Sequence, residues 1–362
     1  MTRKFSRRQM LTAGAVSAGM IMKTGCTSNT VPEQKTERGP GREAFWGPGV
    51  DQNIVRDLTP GQTPVRMGGF LGSIEDVDLT ETVKKKKEGG LTAVVTRGEW
   101  INELTGFQLS ELNAALENYD VVISAVTGNR YTNFIHPDTA IRQKYLKNLA
   151  KFIEIAEKVN CPAVPTICGT RAPETPQNIS FKELFTKEYR YNVHPGNWSL
   201  ETWKLLVASI KQVLKDTSGM KASIAMEAQV TTTIDGPLAH RRLIDDVGDP
   251  RLGVELDPVN MISLHNYYHT TELLNECFGL LGEHILTCHA KDTYILPNRQ
   301  TVHVQEVCAG RGVMDYETYI VRMSRLNWPR MLLPEHIPAD QFPEAYAYIR
   351  KVANRVGVKI YE

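Results

Sequence analysis

The sequence predicts a single (β/α)8 barrel, on three observations. Short β-branched runs alternate with amphipathic helical stretches along most of the chain. Eight such strand–helix units fit into about 300 residues, close to the size of one such barrel. No GxGxxG or P-loop pattern follows a strand, so a nucleotide-binding doubly wound sheet lacks its usual mark.

The units follow in order. Residues 65–70 form a first strand, and 79–88 a helix closed by Gly89 and Gly90. A strand at 91–96, a helix at 109–118 and a strand at 121–126 come next. Ile141, Tyr145, Leu149, Ile153 and Ala156 recur at helical spacing ahead of a strand at 162–168. Leu206, Ile210, Val213 and Leu214 mark the next helix, followed by strand 222–227. Helix 237–247, strand 252–257, helix 271–281 and strand 285–289 continue the rhythm. Tyr316, Tyr319, Ile320 and Met323 mark a helix before strand 331–335, and Ala345, Ile349, Val352 and Val356 close the chain. Two connections are long, at 169–199 and 293–313. Both follow strands, so both belong to the face of a barrel where lids and substrate walls are built.

The barrel is assigned to residues 61–362. Residues 1–26 read as an export segment: Arg7 and Arg8 stand before a short apolar run that ends at Met22, in the manner of a twin-arginine signal. Gly25-Cys26 resembles a lipoprotein cleavage site, which makes Cys26 a candidate lipid anchor. Residues 27–60, rich in Thr, Pro, Gly and charge, read as a linker and irregular lead-in. The expected location is therefore periplasmic, free or membrane-anchored. Cys161, Cys168, Cys277, Cys288 and Cys308 are spaced too irregularly for a disulfide framework or a paired zinc motif, and read as buried small apolar residues.

The formal net charge of the 362 residues is +1, and 41% are hydrophobic. That composition builds a core but offers no basic face for nucleic acid.

Four polar residues stand at strand ends: Glu227, Asp257, His289 and Glu335. They follow one another at steps of 30, 32 and 46 residues, the last step containing the second long connection. One βα unit spans roughly 30 residues, so each falls one strand further round the barrel at similar height. Strand parity puts Ala225, Thr287 and Leu333 on the same inward faces, and puts Glu255 inward beside Asp257. A lone carboxylate at a strand end is more often a cap or an ion-pair partner. Four in register are not explained that way. Three converging carboxylates repel one another unless a cation joins them. Three oxygens and one imidazole suit a single divalent ion, Mn2+, Co2+, Mg2+ or Zn2+.

These residues carry a resemblance. With the Asp257-Pro-Val-Asn260 turn, His289-Ala-Lys291-Asp292, and Gly310 to Tyr316, the chain resembles the xylose isomerase-like TIM-barrel superfamily, in its sugar phosphate isomerase/epimerase branch. The resemblance spans residues 60–360. It implies one metal held by Glu227, Asp257, His289 and Glu335, with Glu227 and Glu335 also moving the substrate proton. A carboxylate on one face of an acidified carbon removes the proton and forms an enediolate. Return from the other face epimerises, and return to the neighbouring carbon isomerises. The chain departs from the pattern at Asn260, where many epimerases have His, and lacks an Arg shortly after His289.

Lys291, Asn260, Arg311 and Arg171 are the candidate substrate contacts. Arg97, Arg130, Trp100, Tyr189 and Tyr191 are weaker ones, and His136 and His303 read as solvated loop residues. The expected activity is metal-dependent isomerisation or epimerisation of a keto or aldo sugar or sugar derivative, by a monomer or an oligomer. Export favours sugars without phosphate. It also raises the alternative of a lyase that cleaves keto-glycosides by β-elimination. A non-catalytic sugar-binding barrel and a DNA-repair nuclease are the lesser readings, the latter opposed by the neutral charge.

Overall fold

A computed structural model describes residues 56–72, 78–128, 133–172 and 193–362. Residues 1–55, on which the expected export segment, the candidate lipid anchor Cys26 and most of the lead-in fall, lie outside the described residues. So do Arg130, Tyr189, Tyr191 and most of the first long connection.

Eight parallel strands form the barrel: β1 (Arg66–Phe70), β2 (Ala93–Arg97), β3 (Val122–Thr127), β4 (Ala163–Thr166), β5 (Ser223–Glu227), β6 (Leu252–Leu256), β7 (Ile285–Ala290) and β10 (Met331–Pro334). Their order is β3-β2-β1-β10-β7-β6-β5-β4. The end strands β3 and β4 lie side by side, so the barrel is nearly closed. Helices return the chain between strands: α1 (Leu79–Glu88), α2 (Gly98–Glu103), α3 (Gly106–Asn118), α4 (Thr139–Glu157), α5 (Leu200–Asp216), α6 (Pro237–Val247), α7 (Thr270–Leu281), α8 (Tyr316–Ser324) and α9 (Phe342–Arg355). None of the described helices is long and apolar enough to cross a membrane.

Local signals fix the helix starts. Asp78, Asp138, Ser199 and Asp315 each accept a hydrogen bond from a first-turn backbone N–H. Thr105 and Gln108 form a reciprocal capping box, which starts α3 three residues before the hydrophobic period becomes visible. At the other end of α6, Gly248 adopts the left-handed conformation that lets the chain turn into β6.

The main core lies between the strands and the helical ring. Ile224, Met226, Val254 and Leu256 meet helix residues such as Leu206 and Ile320 there, all fully buried. A smaller cluster, Ala93, Val95, Ala125, Met331 and Leu333, occupies the face that also carries Glu335. Burying each large aliphatic side chain contributes about 1.5–3 kcal/mol, so this wall is rigid enough to fix the strand ends.

The second long connection is not irregular. It folds into an antiparallel hairpin of β8 (Asp292–Ile295) and β9 (Val304–Val307). Its strands are four residues long and β9 is mostly exposed, so hydrophobic alternation barely marks it. The hairpin is anchored by buried Asp292, whose carboxylate accepts from the backbone N–H of Thr293, Gly310 and Met314. Burial raises this carboxyl's pKa to about 6 against those hydrogen bonds. All five cysteines of the barrel are free and buried, as expected of small core residues.

Candidate metal centre

The four strand-end residues converge. One ligand atom from each of Glu227, Asp257, His289 and Glu335 lies within 4.8 Å of the other three. Glu227 ends β5, and Asp257 follows β6 and caps the short turn Pro258–Met261, accepting from the N–H of Val259 at 3.1 Å. His289 lies near the end of β7, and Glu335 directly follows β10. Two helix tyrosines hold the strand ends in place. Tyr319 Oη donates to the carbonyls of His289 and Leu256, and Tyr316 Oη donates to that of Lys291.

His289 organises the centre. Its Nδ1 lies 3.1 Å from Glu335 Oε1, 3.4 Å from Asp257 Oδ2 and 3.6 Å from Glu227 Oε1. Its Nε2 points the other way, 3.1 Å from Glu255 Oε1. Burial alone would lower the imidazole pKa. The Glu335 and Glu255 carboxylates, helped by Asp257 and Glu227, instead hold it well above the ordinary value. Glu255 is itself raised to about 7, first by burial and then by the charges of Glu227 and Glu335, against the pull of His289.

Lys291, fully buried, is the second cation. Its Nζ lies 2.5 Å from Asp257 Oδ2, 3.3 Å from Glu335 Oε1 and 3.5 Å from Glu306 Oε1, and donates to Asn260 Oδ1 at 3.1 Å. Desolvation would lower its pKa, but Asp257 and Glu335 keep it well above the ordinary lysine value. Burial would likewise raise Glu335. His289 and Lys291 overcome that and hold it well below the usual carboxylate range. Asn260 ties the two halves of the site together, since its Nδ2 donates to Glu227 Oε1 at 2.9 Å.

The donor set fits a divalent cation. Three carboxylates face one imidazole nitrogen, Nδ1 of His289, which is buried and makes no hydrogen bond of good geometry. A buried polar atom left so is costly unless another partner is meant for it. A divalent ion held by these residues would satisfy that atom and would offset the carboxylate repulsion.

The other sequence candidates lie elsewhere. Arg311 pairs with Glu344 on the exposed surface. Arg171 donates to the Ile135 carbonyl and approaches Glu201 at 3.6 Å. Arg97 stacks over half-buried Trp100 and approaches Glu99. His303 is exposed, as read from sequence, but His136 is not solvated: it is 3% exposed, and its Nδ1 accepts from the Asp138 N–H. The reason is that residues 133–136 are tucked inward: the Phe134 N–H donates to the Cys168 carbonyl after β4, and Ser209 Oγ on α5 donates to the Phe134 carbonyl.

Two participants escaped the sequence reading. Glu306 reaches in from β9, its Oε2 2.9 Å from Nδ1 of His336. His336 adopts φ 57, a left-handed conformation rare for a side chain of this size, directly after Glu335. Glu306 sits in a strand with little periodic signal, and nothing local to His336 announces its backbone.

Fold and centre together define a (β/α)8 barrel with a buried acid–histidine cluster at the carboxyl ends of its strands. The chain belongs to the xylose isomerase-like TIM barrel family, whose model matches residues 84–352. Among solved structures, a xylose isomerase-like TIM barrel protein from Mycobacterium smegmatis in complex with magnesium is 15% identical, with a TM-score of 0.57, covering 81% of this chain and 97% of that one. The 3-keto-D-glucoside 4-epimerase of E. coli is 14% identical, with a TM-score of 0.53 and coverage of 80% and 99%. A probable 3-DHS dehydratase from Bacillus anthracis is 14% identical, with a TM-score of 0.56 and coverage of 81% and 100%. No curated protein matches the sequence significantly.

Proposed function

We propose that this protein is a divalent-metal-dependent isomerase or epimerase of a keto or aldo sugar or sugar derivative. The observation that carries the reading is the pair Glu227 and Glu335, two carboxylates that meet at one buried centre with Asp257 and His289. A divalent ion held there supplies Lewis acidity, which makes the carbon beside a carbonyl acidic enough for a carboxylate to deprotonate.

The chain's own residues then divide the work. Glu227, held by the Asn260 amide, and Glu335, beside Lys291, are the proton-moving pair. Asp257 and His289 are ligands only. Lys291 adds a fixed positive charge next to the oxygens on which negative charge develops.

Charge supports an unphosphorylated substrate. Among the described residues, Glu227, Glu255, Asp257, Glu306 and Glu335 surround the centre, with His289 and Lys291 as buried basic groups there. Arg171 and Arg311, the arginines read as candidate substrate contacts, pair with Glu201 and Glu344. An export signal at the N-terminus, as read from the sequence, agrees with a free sugar or glycoside.

A second reading, β-elimination from a keto-glycoside, uses the same proton abstraction. Two solved structures of similar fold are named a 3-keto-D-glucoside 4-epimerase and a probable 3-DHS dehydratase, which supports weighing both readings. Incubating the metal-loaded protein with keto-sugars and keto-glycosides in D2O tests both. Deuterium gain without aglycone release is expected for the first. Aglycone release favours the second, and neither result on a broad panel would reject the enzymatic reading.

A further inference from the structure

We propose that Glu255 is the positioning residue that holds His289 with its proton on Nε2, so that Nδ1 presents its lone pair to the centre. The inference rests on the reading that this centre holds a divalent ion.

The geometry has three parts. Glu255 Oε1 lies 3.1 Å from His289 Nε2, within hydrogen-bonding distance, and both side chains are buried. The opposite ring nitrogen, Nδ1, is the one that faces Glu335, Asp257 and Glu227. Glu255 therefore approaches the nitrogen on the other edge of the imidazole from the one nearest those three residues, although its backbone is the register partner of Glu227 on β5. Sheet register explains the placement. Glu255 pairs with Thr287 on β7, two residues before His289, so it lies one layer deeper in the barrel than Asp257.

The chemistry follows from the imidazole. A neutral ring has one N–H and one lone pair, and whichever nitrogen is hydrogen-bonded to an acceptor keeps the proton. With Glu255 accepting from Nε2–H, Nδ1 is free to bond an ion, and the carboxylate makes it a stronger donor. Without Glu255, the three carboxylates at Nδ1 would attract the proton there, and the ring would present the wrong nitrogen.

The test uses Glu255→Leu, which removes the acceptor, and Glu255→Gln, which keeps an acceptor oxygen without the charge. Mn2+ affinity is measured by calorimetry. The His289 tautomer is read from 15N NMR of the metal-free protein, at a pH where the ring is neutral. Mn2+ binding is expected to weaken about 10- to 100-fold in Glu255→Leu and less in Glu255→Gln. The proton should move from Nε2 to Nδ1 in the Leu variant alone. Wild-type affinity with an unchanged tautomer in Glu255→Leu would overturn the assignment. Should Glu255→Leu fail to fold, an Nδ1-bound proton in wild type would overturn it equally. If wild type binds no divalent ion, the metal reading falls, and the tautomer alone decides the role of Glu255.

Discussion

Lys291 places its ammonium nitrogen 2.5 Å from Oδ2 of Asp257, inside the cluster that would hold the metal. The same nitrogen lies 3.3 Å from Glu335 Oε1. A divalent ion bound there would compete with this ammonium for the same carboxylates, and Lys291 together with His289 offsets their mutual repulsion. Removing one member of a buried charge cluster typically costs about 3–5 kcal/mol. Lys291→Met should lower the melting temperature of chelator-treated protein, and added Mn2+ should restore more of it than in wild type. An equal response to Mn2+ in both proteins would show that lysine and ion do not share the carboxylates.

Glu227→Gln and Glu335→Gln each keep the side chain's size but remove a proton acceptor and a charged ligand. Positioned acid–base groups contribute about 10^2- to 10^4-fold, so turnover should fall by at least two orders of magnitude in each. Solvent deuterium exchange at the substrate carbon should fall in parallel. Unchanged turnover in either variant would take that residue out of the proton-moving pair.

Metal binding should release a proton. The surrounding carboxylates keep His289 protonated well above the ordinary imidazole range, and the ion requires the neutral ring. Low pH therefore favours the proton, and affinity should climb with pH through and beyond that range. Calorimetry in buffers of different ionisation enthalpy counts the protons, and a pH-independent affinity would exclude His289 as a ligand.

His240 predicts an acid weakness of the fold. Its Nε2 donates to the Met226 carbonyl, one residue before Glu227, and burial depresses its pKa to about 4 from 6.5. The folded state thus holds the neutral ring, while the unfolded chain takes a proton below 6.5. The resulting stability is complete above that pH and is lost as pH falls towards 4, about 3 kcal/mol in all. Thermal melts between pH 7 and 4 should show this loss, and His240→Gln should flatten it.

Gly312 marks a close approach. A Cβ built there would overlap the Asp292 carboxylate and the Thr293 carbonyl, both backbone-linked anchors of the hairpin that carries Glu306. Gly312→Ala should cost about 1–3 kcal/mol, as overpacking commonly does. Increased protease cleavage within residues 292–313 should accompany it, and an unchanged melting temperature would argue against a rigid hairpin base.

Sequence alone determined the alternation of strands and helices, and it put Glu227, Asp257, His289 and Glu335 at successive strand ends. Both follow from local periodicity: side chains alternate along a strand, and one βα unit has a nearly fixed length. The helix 237–247 was legible to the residue because Pro237 and Gly248 punctuate it. The hairpin was not, because four-residue exposed strands leave almost no hydrophobic pattern. Only the tertiary structure decided which nitrogen of His289 faces the carboxylates, that Glu255 stands behind the ring, that Asn260 bridges Glu227 to Lys291, and that Arg311 turns away to Glu344. Those choices depend on register between strands and on loops from distant parts of the chain, and no spacing within one segment encodes them.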